Sequence, residues 1–254
     1  MSIKSGDFLG ELIGTFVLVF LGCSTVAIAV LYGIFDLWEV AFLWGIAVFA
    51  GVLIARRLSS AHLNPAVSLC ALFSGVLSLK KFLRYLFGQS IGAFLAGFVV
   101  YLCFSSSIMQ YELAHNITRG TFESNQTAMI FGEFFPNPGF PEVKVSMYGA
   151  ALVEFSGTLA LLLSISFASK YVRNEYLKLM VVSATVSMLI YFGSPYTQVG
   201  INPARDLFPR LVAVLAGWDS AAFPEPFSGF FFVYMLAPSV AGLLVGLANK
   251  RFTH

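Results

Sequence analysis

The sequence predicts an all-α membrane protein with six transmembrane helices and two re-entrant half-helices in an inverted repeat. Three observations lead there. Hydrophobic residues make up 58% of the 254-residue chain and charged residues only 11%, against about 25% charged in an ordinary soluble domain. Six apolar runs, at about residues 9–31, 38–56, 82–106, 146–169, 177–194 and 229–249, are long enough or nearly long enough to cross a hydrocarbon core about 30 Å thick. The triplet Asn-Pro-Ala occurs twice, in Ala61-His62-Leu63-Asn64-Pro65-Ala66-Val67 and in Gly200-Ile201-Asn202-Pro203-Ala204-Arg205-Asp206. Each triplet opens an apolar run too short to span.

The first run begins a few residues into the chain and lacks a small-residue cleavage signature followed by a soluble domain, so it reads as a retained span. Each triplet reads as a helix start. Proline fixes φ and lacks an N–H, which suits the first helical position, and asparagine before it is a favoured N-cap. Pro65 and Ala66 therefore open one short helix that ends near Gly75, and Pro203 and Ala204 open another. About ten residues at 1.5 Å each reach roughly 15 Å, half the membrane. A helix broken at that depth is tolerated only where it is buried in protein or lines a wet cavity. The alternative is a coincidental pair of surface helix caps.

The halves repeat. Glu11-Leu-Ile-Gly14-Thr15 in the first span matches Glu154-Phe-Ser-Gly157-Thr158 in the fourth. The chain divides into a first repeat (1–106), a long loop (107–145) and a second repeat (146–254), together one transmembrane channel domain (1–254). Three spans per half force the halves to be inverted in the bilayer. Lys4, Arg56, Arg57, Lys80, Lys81, Arg84, Lys170, Arg173, Lys178, Lys250 and Arg251 fall on one side, and Arg119, Lys144, Arg205 and Arg210 on the other. The positive-inside rule then makes both termini cytoplasmic. The long loop lies outside, and its stretch Phe131-Gly-Glu-Phe-Phe-Pro-Asn-Pro138 is apolar enough to fold back over the mouth. It also holds two glycosylation sequons, at Asn116 and Asn125.

Net charge +2 without a basic tract gives nothing to hold nucleic acid. Cys23, Cys70 and Cys103 all lie in apolar runs, where packing is expected, and their spacing fits no metal site. No nucleophile, base and orienting group occur together, so an enzyme is not expected, and no cofactor is implied.

Glu11 and Glu154 are intramembrane acids. They are either proton-relay groups or acceptors for exposed backbone N–H groups of the broken segments; their duplication, one per half-helix, favours structural support. Asn64 and Asn202 each place an amide donor at the pore midpoint, where two positive helix ends meet. Arg205 follows Asn202 by one turn, a lone cation that repels cations and binds hydroxyls. Asp206 has Arg210 as a nearby partner. His62 either lines the cytoplasmic vestibule or satisfies its own loop.

At these residues the chain resembles the aquaporin superfamily over nearly its whole length, and within it the glycerol facilitators. Asp206 after the arginine, Arg210, Pro238 and the Phe135-Pro-Asn-Pro138 loop carry the likeness to that branch. The resemblance implies a selectivity filter of Trp44, Ile190, Val199 and Arg205. Trp44 supplies an apolar wall for a carbon backbone and Arg205 the hydroxyl-binding donors. Val199 departs from the aromatic common at its position and Ile190 from the glycine; Gln198 replaces a small residue, and Tyr196 is a candidate to swing in instead. Such a ring has no second acid.

The expected function is a passive channel for glycerol, with water passing as well. Alternatives are a water-selective pore, a urea, boric acid or arsenous acid channel, a proton-coupled transporter using Glu11 or Glu154, and a closed structural protein. The resemblance implies a homotetramer in membrane lipid, with one pore per subunit.

Overall fold

The computed structural model describes residues 6–251, and those residues form helices joined by loops, with no strand among them. Helix α1 (Gly6–Tyr32) and α2 (Leu37–Ala55) are the first two spans. The short α3 (Pro65–Phe73) follows, then the long α4 (Leu79–Ala114). A one-turn α5 (Asn125–Ala128) lies in the outer loop. The second half has α6 (Met147–Tyr171), α7 (Glu175–Thr197) and the short α8 (Pro203–Ala213). The last span is built from α9 (Phe227–Phe230), a wide π-type turn (Phe231–Leu236) and α10 (Ala237–Arg251). Among the described residues, six helices are long and apolar enough to cross a membrane. Lys4 and the side chains of Lys250 and Arg251 lie outside the described residues, and with them part of the charge argument for orientation.

Local chemistry sets the boundaries. Asp36 and Glu39 form a reciprocal capping box at the start of α2, and Ser78, Ser146 and Asn174 cap α4, α6 and α7. Helix α3 stops where Gly75 adopts φ +78°, a conformation glycine takes without Cβ strain. The widened turn comes just before Pro238, which has no N–H to continue a regular ladder. Helix α4 is longer than its apolar run: 36 residues make roughly 54 Å at 1.5 Å per residue. Its last turn carries Glu112, held by Arg119 at 2.8 Å, so the outer loop starts eight residues later than the hydropathy break near 106 suggests.

Helix α1 packs on α2 and α4, and α6 packs on α7 and α10. The two short helices are held inside this frame, α3 against α10 and α4, and α8 against α4. Close approach is possible because glycines face the short helices. A Cβ on Gly242 would lie 2.5 Å from the Ala66 carbonyl oxygen, and one on Gly246 would lie 2.6 Å from that of Cys70. Gly22 of α1 likewise leaves room for the Trp44 ring. Cys23 and Cys70 are buried as expected, but Cys103 is exposed. It lies on the outward stripe of α4 beside exposed Leu102, away from the core of the chain.

Gly242→Leu should therefore push α10 off the half-helix. Overpacking costs about 1–3 kcal/mol, which lowers the unfolding midpoint by roughly 3–10 °C. Thermal melting of the detergent-solubilised protein checks this, with Leu244→Ala on the exposed side of α10 expected to change it little.

Candidate pore and its constriction

Asn64 caps α3 in an extended conformation, its Oδ1 accepting from the Ala66 N–H at 2.8 Å. Its Nδ2 donates across the molecule to the Ile201 carbonyl at 2.9 Å. Asn202 does the converse. Its Oδ1 accepts from Ala204 and Arg205, and its Nδ2 donates to the Leu63 carbonyl at 2.9 Å. The two helix starts are thus tied tip to tip by a reciprocal pair of hydrogen bonds. One amide hydrogen on each asparagine is spent on this cross-link, more than a simple N-cap requires, and one remains. Both asparagines line a cavity of about 640 Å³.

The segments leading into the half-helices are strained. Ala61, Leu63, Val199 and Ile201 all have φ between 42° and 64°, at a cost of order 1–3 kcal/mol each for non-glycine residues. Each segment is anchored by one buried acid. Glu11 accepts from the His62 and Leu63 N–H groups at 3.0 and 2.8 Å, and from Ser59 and Gln89. Glu154 accepts from the Gly200 and Ile201 N–H groups at 2.9 and 2.6 Å, and from Thr197. Both acids are 0% exposed.

His62 faces the cavity and bonds to the half-helix rather than to its own loop. Its Nδ1 sits 3.1 Å from the Ser68 hydroxyl with Tyr85 packed edge-on to the ring.

Trp44 and Ile190 line both the large cavity and a second, outer cavity of about 360 Å³. They therefore mark the neck between the two. Val199 and Arg205 join them from the inner side, and the Arg205 guanidinium lies 4.5 Å over the Trp44 ring. Trp44, Ile190, Val199 and Arg205 thus all line the large cavity, with Arg205 against Trp44. Tyr196 does not: it is exposed and faces an outer groove with Met188 and Phe192. Val199 packs its side chain against Gly193.

Two expectations need correction. Arg205 is not a lone cation, and the neck does have an acid. Glu133 of the outer loop reaches the Arg205 Nη2 at 2.5 Å, with both side chains buried. Its position follows from a clamp on the loop. Asp206 accepts from the Glu133 N–H at 2.6 Å and from Arg210 at 2.8 Å. Arg210 in turn donates to the Glu133 carbonyl at 2.6 Å and to that of Ala222. Gln198, which looked like a filter anomaly, accepts from the Phe134 N–H at 2.8 Å, and Asn137 donates to the Ser194 carbonyl at 2.8 Å. The sequence signal for Glu133 was a lone acid amid Phe131, Phe134 and Phe135. Gln89, which joins Glu11 to Ser68, was missed as well.

The sequence profile of the family "Major intrinsic protein" matches residues 2–249. A glycerol uptake facilitator protein of Haemophilus influenzae is 34% identical over 98% of this chain and 92% of its own length. The propanediol uptake facilitator PduF of Salmonella typhimurium is 29% identical over 97% and 91%. The aquaglyceroporin of Plasmodium falciparum, a solved structure, superposes with a TM-score of 0.77 at 29% identity, covering 97% of this chain and 94% of that one. With two half-helices joined at their tips and a family match along nearly its full length, this chain belongs to the major intrinsic protein family.

Proposed function

We propose that the protein is a passive channel for small neutral solutes, glycerol first, with water passing as well. The observation that carries this is the cavity running from the Asn64–Asn202 junction to the neck at Trp44 and Arg205. Two helix N-termini point at the junction, so a cation there meets positive dipole ends with no compensating acid on Asn64 or Asn202. A hydroxyl or water oxygen instead accepts from the remaining amide hydrogens. At the neck, Trp44, Ile190 and Val199 form apolar walls and the guanidinium supplies donors on one side. A polyol matches this asymmetry with carbons on one edge and hydroxyls on the other. Relatives named for glycerol and propanediol uptake support the same solute class.

The proton-coupled reading is weaker. Glu11 and Glu154 are each occupied by two backbone N–H groups and a side-chain hydroxyl, which suits acceptors that hold backbone better than groups that load and release a proton. A water-selective pore fits less well with Trp44 and Asp206, while urea and metalloid acids satisfy the same neck. The protein sits in the cell membrane with both termini cytoplasmic, as a homotetramer with one pore per subunit, and carries out no chemistry on its solutes.

In liposomes, a glycerol gradient should give reswelling well above that of empty vesicles, and a proton gradient should not change its rate. Stopped-flow light scattering, with sucrose as the impermeant comparison, checks this; reswelling equal to empty vesicles removes the channel reading. Trp44→Ala should shift the glycerol-to-water permeability ratio by roughly tenfold, about 1.4 kcal/mol of differential barrier. An unchanged ratio removes Trp44 from the filter.

A further inference from the structure

Val199 stands between two spaces. It lines the large cavity with the other neck residues, and it also lines the outer groove between α6 and α7, a space of about 660 Å³. Gly193 of α7 lines that groove but not the large cavity. A Cβ built on Gly193 would lie 2.5 Å from the Val199 Cγ2 and 3.5 Å from the Val153 Cγ1. The first distance is well inside the roughly 3.5–4.0 Å at which carbon atoms pack, and the second sits at its edge. One Val199 methyl therefore occupies the space that a side chain at 193 would take. The helix itself does not ask for glycine there. Gly193 lies inside α7 without a positive φ, and glycine is a poor helix former.

We propose that Gly193 is a positioning residue that sets the width of the neck through Val199. The Val199 backbone is fixed. It has φ 64°, its N–H donates to the Thr197 Oγ1 at 3.2 Å, and the next two N–H groups, of Gly200 and Ile201, are held by Glu154. Its β-branched side chain has few rotamers to choose from. A methyl group at 193 would drive that side chain off α7, with Val153 closing the α6 side, and the room left is the pore. With glycine in place the valine is drawn back, which leaves width for a carbon chain beside Trp44 and Ile190. A polyol needs that width and water does not. The inference rests on the channel reading above and deepens it, since it names a residue away from the pore that decides how bulky a solute fits.

Gly193→Ala tests this, with water and glycerol permeabilities measured by stopped-flow light scattering on the same proteoliposomes. One carbon more or less in an apolar site is worth about tenfold or more in discrimination, so glycerol permeability should fall about tenfold and water by less than about twofold. Combining Gly193→Ala with Val199→Ala removes the displaced methyl and should bring the glycerol-to-water ratio back to the native value or above it. Met188→Ala, on the same groove and exposed, should leave the ratio unchanged. A native ratio in Gly193→Ala overturns the inference, as does a lowered ratio that the double variant does not restore, or an equal fall in Met188→Ala. Should Gly193→Ala fail to fold, the double variant decides alone: folding with a native or higher ratio supports the recess, and failure to fold overturns it. If the native protein carries glycerol and the ratio does not move, only this inference fails; if the native protein carries no glycerol, the channel reading fails and takes the inference with it.

Discussion

One carboxylate in each half, accepting the backbone N–H groups just ahead of a half-helix, is the interaction on which the rest of the structure depends. A chain that stops being helical inside a membrane exposes polar backbone at a cost of several kcal/mol per group. Glu11 and Glu154 receive two such N–H groups each, and they do so in strained segments with positive φ at Ala61, Leu63, Val199 and Ile201. Hydrogen bonds to a charged group are worth about 1.5–3 kcal/mol apiece, comparable with the strain they offset. Fixed this way, the two helix starts meet, and the Asn64 and Asn202 amides close the junction by bonding each other's loop carbonyl.

The outer half follows a second constraint. Asp206 and Arg210 lie one turn apart on α8 and are almost wholly buried. Paired charges in such a place are costly to desolvate unless their remaining hydrogen-bonding groups are used. The Glu133 backbone and the Ala222 carbonyl fill much of that need. The same contacts draw the loop down over the mouth and deliver a carboxylate to Arg205. The Arg205 contact is thus coupled to loop anchoring through adjacent residues of one short helix.

Much of this was legible beforehand. The apolar runs, the paired triplets and the repeated Glu-x-x-Gly-Thr located the spans, the half-helices and the acids, because membrane thickness and helix geometry leave few options. Arg205 was found from its place one turn after Asn202, and Trp44 from the resemblance to the glycerol facilitators. What escaped was set by the outer loop. Glu133 reaches Arg205 across 72 positions of sequence, a contact that hydropathy and motif spacing do not encode. Gln198 looked anomalous for the same reason, since its loop partner Phe134 lies 64 residues away. The extension of α4 to Ala114 was also hidden, because an ion pair outside the membrane sustains it where hydropathy no longer does.

The central claim is that Glu11 and Glu154 hold backbone in place and do not carry protons. Glycerol flux in liposomes containing Glu11→Gln or Glu154→Gln tests it most directly. A carboxamide has an NH₂ group where the fold needs an acceptor, so each variant should lose its half-helix seat and fall at least about tenfold in flux, the two halves alike, with folded yield falling in parallel. Variants that fold normally and conduct glycerol at the native rate, or that lose only a response to a proton gradient, would contradict the account.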